Sequence, residues 1–338
     1  MKLRRRTSII VLSFALAIAG FFYLYNQIYF SHGNSEANVM FSIKKGEGNE
    51  EIAFNLQKEG LVPNRFYFLI YLSGRNLLGK IYPGDYMLSG NLTIPEIAEI
   101  ITNPQKVFVK LTFPEGWTAE QIAGRLNENG FDGGAFLELV NNPSEDIVSQ
   151  FSVLADKPQK ASLEGYIFPD TYKFSKDATP EGILKKILSN TENKFDEELR
   201  EEAKKQGKTV FEILTMASIL EREVSTPEDF QIVSGIFWRR IAIGQALQSD
   251  ATLEYVLKTR DFQHSFEQTR IDSPYNTYIN KGLPPGPVSN PGLETISAAL
   301  RPKKTNYLYF LTDPNNLKNT VYSVTFEEHV KNKQKYGL

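Results

Sequence analysis

The chain contains no cysteine, which removes thiolate nucleophiles, disulfide frameworks and cysteine-ligated metals, and suits a compartment where free thiols would be oxidised. Histidine is nearly as scarce. His32, His264 and His329 are far apart and none sits in an H-E-x-x-H arrangement, so a zinc hydrolase has no ligand set. Charge of one sign is missing too: 38 Lys and Arg stand against 40 Asp and Glu, leaving no basic field to attract nucleic acid. Two nucleophile or phosphate motifs are imitated and fail. Residues 74–80 (GRNLLGK) have P-loop spacing, but Ile81 stands where Ser or Thr must reach magnesium, and no strand feeds the glycines. Ser42 and Lys45 have S-x-x-K spacing, yet they fall on a predicted strand and no K-T-G follows. Serine, cysteine and metal routes are poorly supplied. No metal or cofactor is expected, and carboxylate chemistry remains.

Residues 7–30 also lack charge, and here the absence is informative. Lys2, Arg4, Arg5 and Arg6 precede this apolar run, whose length suits a transmembrane helix with residues 1–6 as a cytoplasmic tail. A cleavable signal peptide competes, because Ala15, Ala17 and Ala19 are small. The run continues through Phe21, Phe22 and Leu24, longer than an ordinary signal core, which favours an uncleaved single-pass anchor in the cell membrane. Residues 31–38 (SHGNSEAN) predict a polar linker, with everything after it outside the cytoplasm.

The 338 residues allow about two domains besides the anchor. Residues 39–105 predict a small α+β module: a strand and turn (VMFSIKKGEG), two helices, a strand (YPGDYML) and a helix that Thr93 caps with Pro95 and Glu96 behind it. Its opening, KGEGNEEIAFNL, resembles the start of the LysM class of glycan-binding modules. Glycan binding and simple positioning of a neighbouring domain are both open for it. Ile52-Ala53 and Ile122-Ala123 sit alike in two strand, turn and helix units, a faint sign of duplication.

Residues 106–338 predict a larger α+β domain. The pattern gives a strand at 107–113, a helix closed by Gly130, one helix over 133–150, a loop with aromatics and Glu164 over 157–173, and a charged helical stretch at 179–206. Proline and glycine over 282–292 forbid regular structure and predict a stiff loop. A helix at 293–300 follows, then short strands at 306–311 and 321–325 around a DPNN turn. The centre of the domain is residues 209–224, TVFEILTMASILEREV. Val210, Leu214 and Ala217 recur at helical spacing and predict one apolar side, with Glu221 only about 20° from Leu214. Glu212, Arg222 and Glu223 point elsewhere. A carboxyl group on a dry helix face has its charged form disfavoured and keeps a proton to donate. A glutamate that ends the stripe and reaches solvent satisfies the same spacing.

Five ordered motifs carry a resemblance: EGYIFPDTY (164–172), MASILERE (216–223), RRIAIGQALQSDATLEY (239–255), SPYNTYINKGLPPGPVSNPG (273–292) and TFEEH (325–329). In order and spacing they resemble the endolytic murein transglycosylases of the YceG-like family. The resemblance implies that Glu221 is the catalytic acid. It also implies cleavage of the bond between N-acetylmuramic acid and N-acetylglucosamine in nascent peptidoglycan strands, without water, leaving 1,6-anhydro ends and limiting strand elongation. One carboxyl group suffices, first as acid and then as base. Glu164 and Asp250 would be the partners in a water-using muramidase. Gln248, Ser273 and Asn276 are expected to bond acetamido and hydroxyl groups of the substrate, with Glu164 and Asp250 alongside, while Tyr255, Tyr275 and Tyr278 stack on sugar faces. The family usually has Gly and His before its final strand, and Asn319 and Thr320 stand near that place here. The resemblance suggests work beside peptidoglycan synthases, and a non-catalytic wall-binding scaffold is the reading from another class.

Overall fold

In this computed structural model, residues 2–33, 37–259, 264–314 and 316–337 are described, and they form a mixed α+β protein. They divide into two units, residues up to 110 with 173–177, and residues 111–172 with 178–338.

The first unit begins with α1 (Lys2–Tyr29), whose segment Ile10–Tyr29 is long and apolar enough to cross a membrane. Strand β1 (Val39–Ile43) follows, then α2 (Asn49–Lys58), α3 (Arg65–Gly74), β2 (Gly84–Leu88) and α4 (Ile94–Ile101). Strands β3 (Phe108–Thr112) and β4 (Thr171–Ser175) complete a sheet of order β1-β2-β3-β4. β1 and β2 are antiparallel, Val39 opposite Leu88 and Ile43 opposite Gly84. Side chains alternate across a pleated strand, so Phe41, Ile43, Tyr86 and Leu88 point inward together. The helices close over them with Ile52, Leu56, Phe68, Leu72, Ile97 and Ile101. Thr93 and Glu96 form the expected capping box at the start of α4, each satisfying a backbone N–H that the helix leaves orphaned.

The second unit holds α5 (Ala119–Glu128), α6 (Gly133–Asn141), α7 (Glu145–Gln150), α8 (Pro180–Lys194), α9 (Glu197–Lys205), α10 (Val210–Glu223), α11 (Pro227–Ala242), α12 (Asp250–Leu257) and α13 (Leu293–Leu300). A hairpin of β5 (Tyr309–Asp313) and β6 (Asn316–Ser323) and a last helix, α14 (Phe326–Tyr336), end the chain. Three expectations change. The single helix over 133–150 is two, because Pro143 breaks it and Ser144 caps the next. The stretch 179–206 is also two helices, the second started by Asp196, whose side chain accepts from the Leu199 N–H. The loop over 157–173 ends in β4 rather than running on as loop.

Helix α10 packs against α9, α11, α12 and α13. Thr209 and Glu212 make a capping box at its start. From Val210 to Leu220 every residue but the half-buried Glu212 is buried, so the expected one-sided stripe is a helix enclosed on nearly all sides. Thr215 and Ser218 are tolerated inside because their hydroxyls are satisfied: Thr215 donates to the Phe211 carbonyl at 2.7 Å and Ser218 to the Thr215 carbonyl at 2.8 Å. Ser218 also accepts the Val288 N–H at 2.9 Å, which ties the Pro- and Gly-rich loop to the helix.

Candidate active site

The last turn of α10 presents Glu221, half-buried, to the start of α13. Its Oε2 accepts the Gly292 N–H at 2.9 Å and the Thr295 hydroxyl at 2.7 Å. Burial raises the pKa of this carboxyl group, the nearby charges of Glu115 and Glu294 raise it further, and the two donors pull it back. The balance is a group inclined to hold a proton, yet with two partners ready for the anion it becomes on release. Two glycines make the space. Gly116 has φ +74°, and a Cβ there would stand 3.4 Å from Glu221 Cγ. At Gly292 a Cβ would fall 1.9 Å from Glu115 Oε1, so no larger residue fits unless that carboxylate moves away.

One amide holds the surrounding loops. Asn290 is fully buried, and its side-chain carbonyl accepts the N–H groups of Gly165 at 2.8 Å and Ile167 at 2.9 Å. Its NH2 donates to the Trp117 carbonyl at 2.9 Å and to Glu164 Oε1 at 2.6 Å, while its backbone carbonyl accepts the Gly116 N–H at 2.9 Å. The loop bearing Gly116, the segment 164–167 and the Pro- and Gly-rich loop are thereby fastened at one point. Gly165 is obligatory in that segment: its φ is +86° and a Cβ would lie 2.5 Å from Pro287 Cγ.

Glu164 is buried, with only 5% of it exposed. Its two oxygens accept the Ala119 N–H at 3.0 and 3.1 Å, capping α5, and one also takes the Asn290 amide. Burial pushes it up to about 7 against these donors. The folded chain therefore keeps a proton on Glu164 between about pH 4.5 and 7 that the unfolded chain has lost, so this residue makes stability fall as pH rises through that window. Glu164→Gln is expected to flatten the slope of melting temperature against pH there. An unchanged slope would contradict the assignment.

A groove of about 420 Å³ opens beside these elements, lined among others by Glu164, Arg222, Glu254, Tyr255 and Lys258. Glu221 does not line it, but its neighbour Arg222 does, held in an ion pair with Glu254. The rings of Tyr255 and Tyr275 lie 5.1 Å apart, near enough to Glu164 for its charge to bear on both hydroxyls. The remaining candidates form a separate network. Tyr278 donates its hydroxyl to Asp250 at 2.5 Å, and Ser273 accepts the Tyr275 N–H at 3.3 Å. Asn276 is fully buried, its NH2 on the Thr269 and Ile271 carbonyls and its oxygen on the Tyr278 N–H, so its polar atoms shape the loop. Gln248 is exposed and has φ +51°, a left-handed backbone that is costly for a side-chain-bearing residue.

Three residues escaped the sequence reading: Thr295 and Glu115 near Glu221, and Asn290, which fastens the Gly116 loop. Glu223 turns inward to accept the Ser249 hydroxyl and the Ala251 N–H at the start of α12, and burial beside Asp250 pushes it up to about 7. Thr320, which the sequence reading set near the place of a family histidine, donates to the buried Asp229 at 3.0 Å. Thr295 is open to direct test. In Thr295→Val the carboxylate form of Glu221 loses a donor, so its pKa rises and the high-pH fall of any activity needing protonated Glu221 moves to higher pH. A pH profile of glycan cleavage would read this, and a shift to lower pH would count against it.

Residues 41–335 match the YceG-like family. The chain is 31% identical over 315 residues to an endolytic murein transglycosylase of Bacillus subtilis, covering 90% of this chain and 86% of that one. An endolytic murein transglycosylase of Streptococcus pneumoniae serotype 2 is 30% identical over 353 aligned positions, with 96% of this chain covering 64% of the pneumococcal one. A crystal structure of a yceG-like protein from Listeria monocytogenes superposes with a TM-score of 0.61 at 31% identity, over 88% of this chain and 99% of that one. With the match extending through nearly all of both units, the chain belongs to the YceG-like family.

Proposed function

We propose that the chain is a membrane-anchored lytic transglycosylase that cuts glycan strands of peptidoglycan internally, with Glu221 as its single acid and base. The observation that carries this is the setting of Glu221: partly withdrawn from water, raised in pKa, and facing the Gly292 N–H and the Thr295 hydroxyl. Protonated Glu221 gives its proton to the glycosidic oxygen as the bond from C1 of N-acetylmuramic acid breaks. The C6 hydroxyl oxygen of the same sugar then bonds to C1, and its proton passes to the Glu221 carboxylate, which restores the acid. No water is consumed, and the product carries a 1,6-anhydro ring. A second carboxylate is unnecessary, and Glu164 is poorly free to be one because its oxygens are taken by Ala119 and Asn290. Tyr255, which lines the groove, and Tyr275, packed against it, are the rings suited to stack on sugars.

The basic residues at the start of α1 favour a cytoplasmic N-terminus and an extracytoplasmic catalytic unit. The module over 39–105 would hold glycan in the manner of LysM or position the enzyme, and synthases that extrude strands near the membrane would be its companions. The decisive experiment is mass spectrometry of the fragments that the purified full chain releases from sacculi. Anhydromuramic termini are expected. Reducing muramic ends would establish a muramidase instead, and binding without any release would leave only a scaffold.

A further inference from the structure

The end of α1 does not leave the first unit; it is part of it. Ile28 is 6% exposed within the core, Leu24 packs against the same core, and α1 lies along α3 and α4. Tyr23 and Tyr67 share a hydrogen bond, while Tyr29 meets Tyr71 with ring centroids 6.2 Å apart and bonds Arg75. The two helices therefore run side by side in the same sense, and the membrane-facing end of α3 is its beginning, at Arg65 and Phe66.

Length then decides where the bilayer stops. The apolar stretch clear of the unit, Thr7 to Phe22, is about 16 residues, or roughly 24 Å at 1.5 Å per residue. A hydrocarbon core is about 30 Å thick. The segment Ile10–Tyr29, which has the span's full length, overlaps the part of α1 that α3 covers. So the first turns of α3 stand at the level of the outer headgroups. Their outward residues suit that level: Phe66 is 57% exposed, Ile70 48% and, on α2, Phe54 50%. Phe66 and Ile70 are one turn apart, beside the row of Tyr67 and Tyr71 that faces α1. The Arg65 guanidinium lies 6.0 Å from the Phe54 ring centre and 5.0 Å from that of Phe66. Aromatic rings with a cation among them are the side chains that settle between acyl chains and phosphates.

We propose that Phe54, Arg65, Phe66 and Ile70 form a membrane-seating surface that fixes the first unit in the outer headgroup layer of the bilayer crossed by α1. This rests on the anchored reading above, and the test separates the two. Because the chain has no cysteine, Phe66→Cys, Ile70→Cys, Leu78→Cys and Leu16→Cys can each carry a single nitroxide in the full chain, reconstituted in phosphatidylethanolamine and phosphatidylglycerol vesicles. Leu78 is 47% exposed and lies beyond the far end of α3, so it serves as the aqueous reference. Labels at 66 and 70 are expected to show a severalfold higher ratio of oxygen to aqueous nickel-complex collisions than the label at 78, approaching that at 16. If 16 is in lipid while 66 and 70 match 78, the seating surface is overturned and the anchor stands. If 16 itself is aqueous, the anchor falls and the surface with it.

Discussion

Glu221→Gln is expected to lower the rate of glycan cleavage by roughly 10³ to 10⁴, the upper range for removing a general acid or base, because in the proposed mechanism one side chain serves as both. The amide cannot give a proton to a leaving oxygen and cannot take one from the C6 hydroxyl. Its own oxygen can still accept from Gly292 and Thr295, the partners of the wild-type carboxylate. Replacing a carboxyl group that burial already inclines to neutrality should leave stability within about 1 kcal/mol. Activity and stability should therefore separate in this variant. Quantifying muropeptide release and the thermal midpoint on one preparation checks it, and retention of a tenth of the activity would remove Glu221 from the chemistry.

The largest structural effect is expected at Asn290. In Asn290→Ala the N–H groups of Gly165 and Ile167 lose their acceptor, and the Trp117 carbonyl and Glu164 lose a donor, all at a position with no solvent access. Unsatisfied buried groups cost about 1 to 3 kcal/mol each, so a loss of roughly 3 to 5 kcal/mol follows once partial relaxation is allowed. For a unit of this size that corresponds to a melting shift of about 10 °C. Cleavage should fall as well, since the loop bearing Gly116 and Trp117 would keep its backbone bonds to residue 290 but lose the side-chain amide that also fastens it beside Glu221. Asn290→Asp is expected to be worse above neutral pH than below it, because it sets a second carboxyl group where the amide met Glu164 at 2.6 Å. Calorimetry that found the Ala variant within about 2 °C of the parent would contradict the role assigned to this residue.

How much of this was legible beforehand varies with how local the cause is. The start of α10 is written in four consecutive residues, Thr209 to Glu212, as is that of α4 in Thr93 and Glu96, and both capping boxes are present. The break at Pro143 was equally local and could have been taken from the proline alone. The enclosure of α10 was not legible, because Thr215 and Ser218 count as polar in any periodicity and their satisfaction depends on backbone carbonyls and the distant Val288. β4 is only five residues long and is defined by its neighbour in the sheet, which no spacing records. Around Glu221 the same division holds. The glutamate could be singled out by its place on the helix, whereas Thr295, Gly292 and Glu115 reach it from elsewhere in the chain. Glu164 stood out as an acid among aromatics, yet whether such an acid faces a ligand or a helix start is decided by Ala119 and Asn290, 45 and 126 residues away.

Ile28 closes the core of the first unit, although it belongs to the helix that would cross the membrane. A soluble fragment beginning after residue 30 would thus carry an open cleft between α3 and α4 where that side chain and Leu24 had been, and would be prone to self-association through it. By the same logic, proteolytic shedding of the outer portion could not proceed by a clean cut at the lipid surface without damaging the module it released.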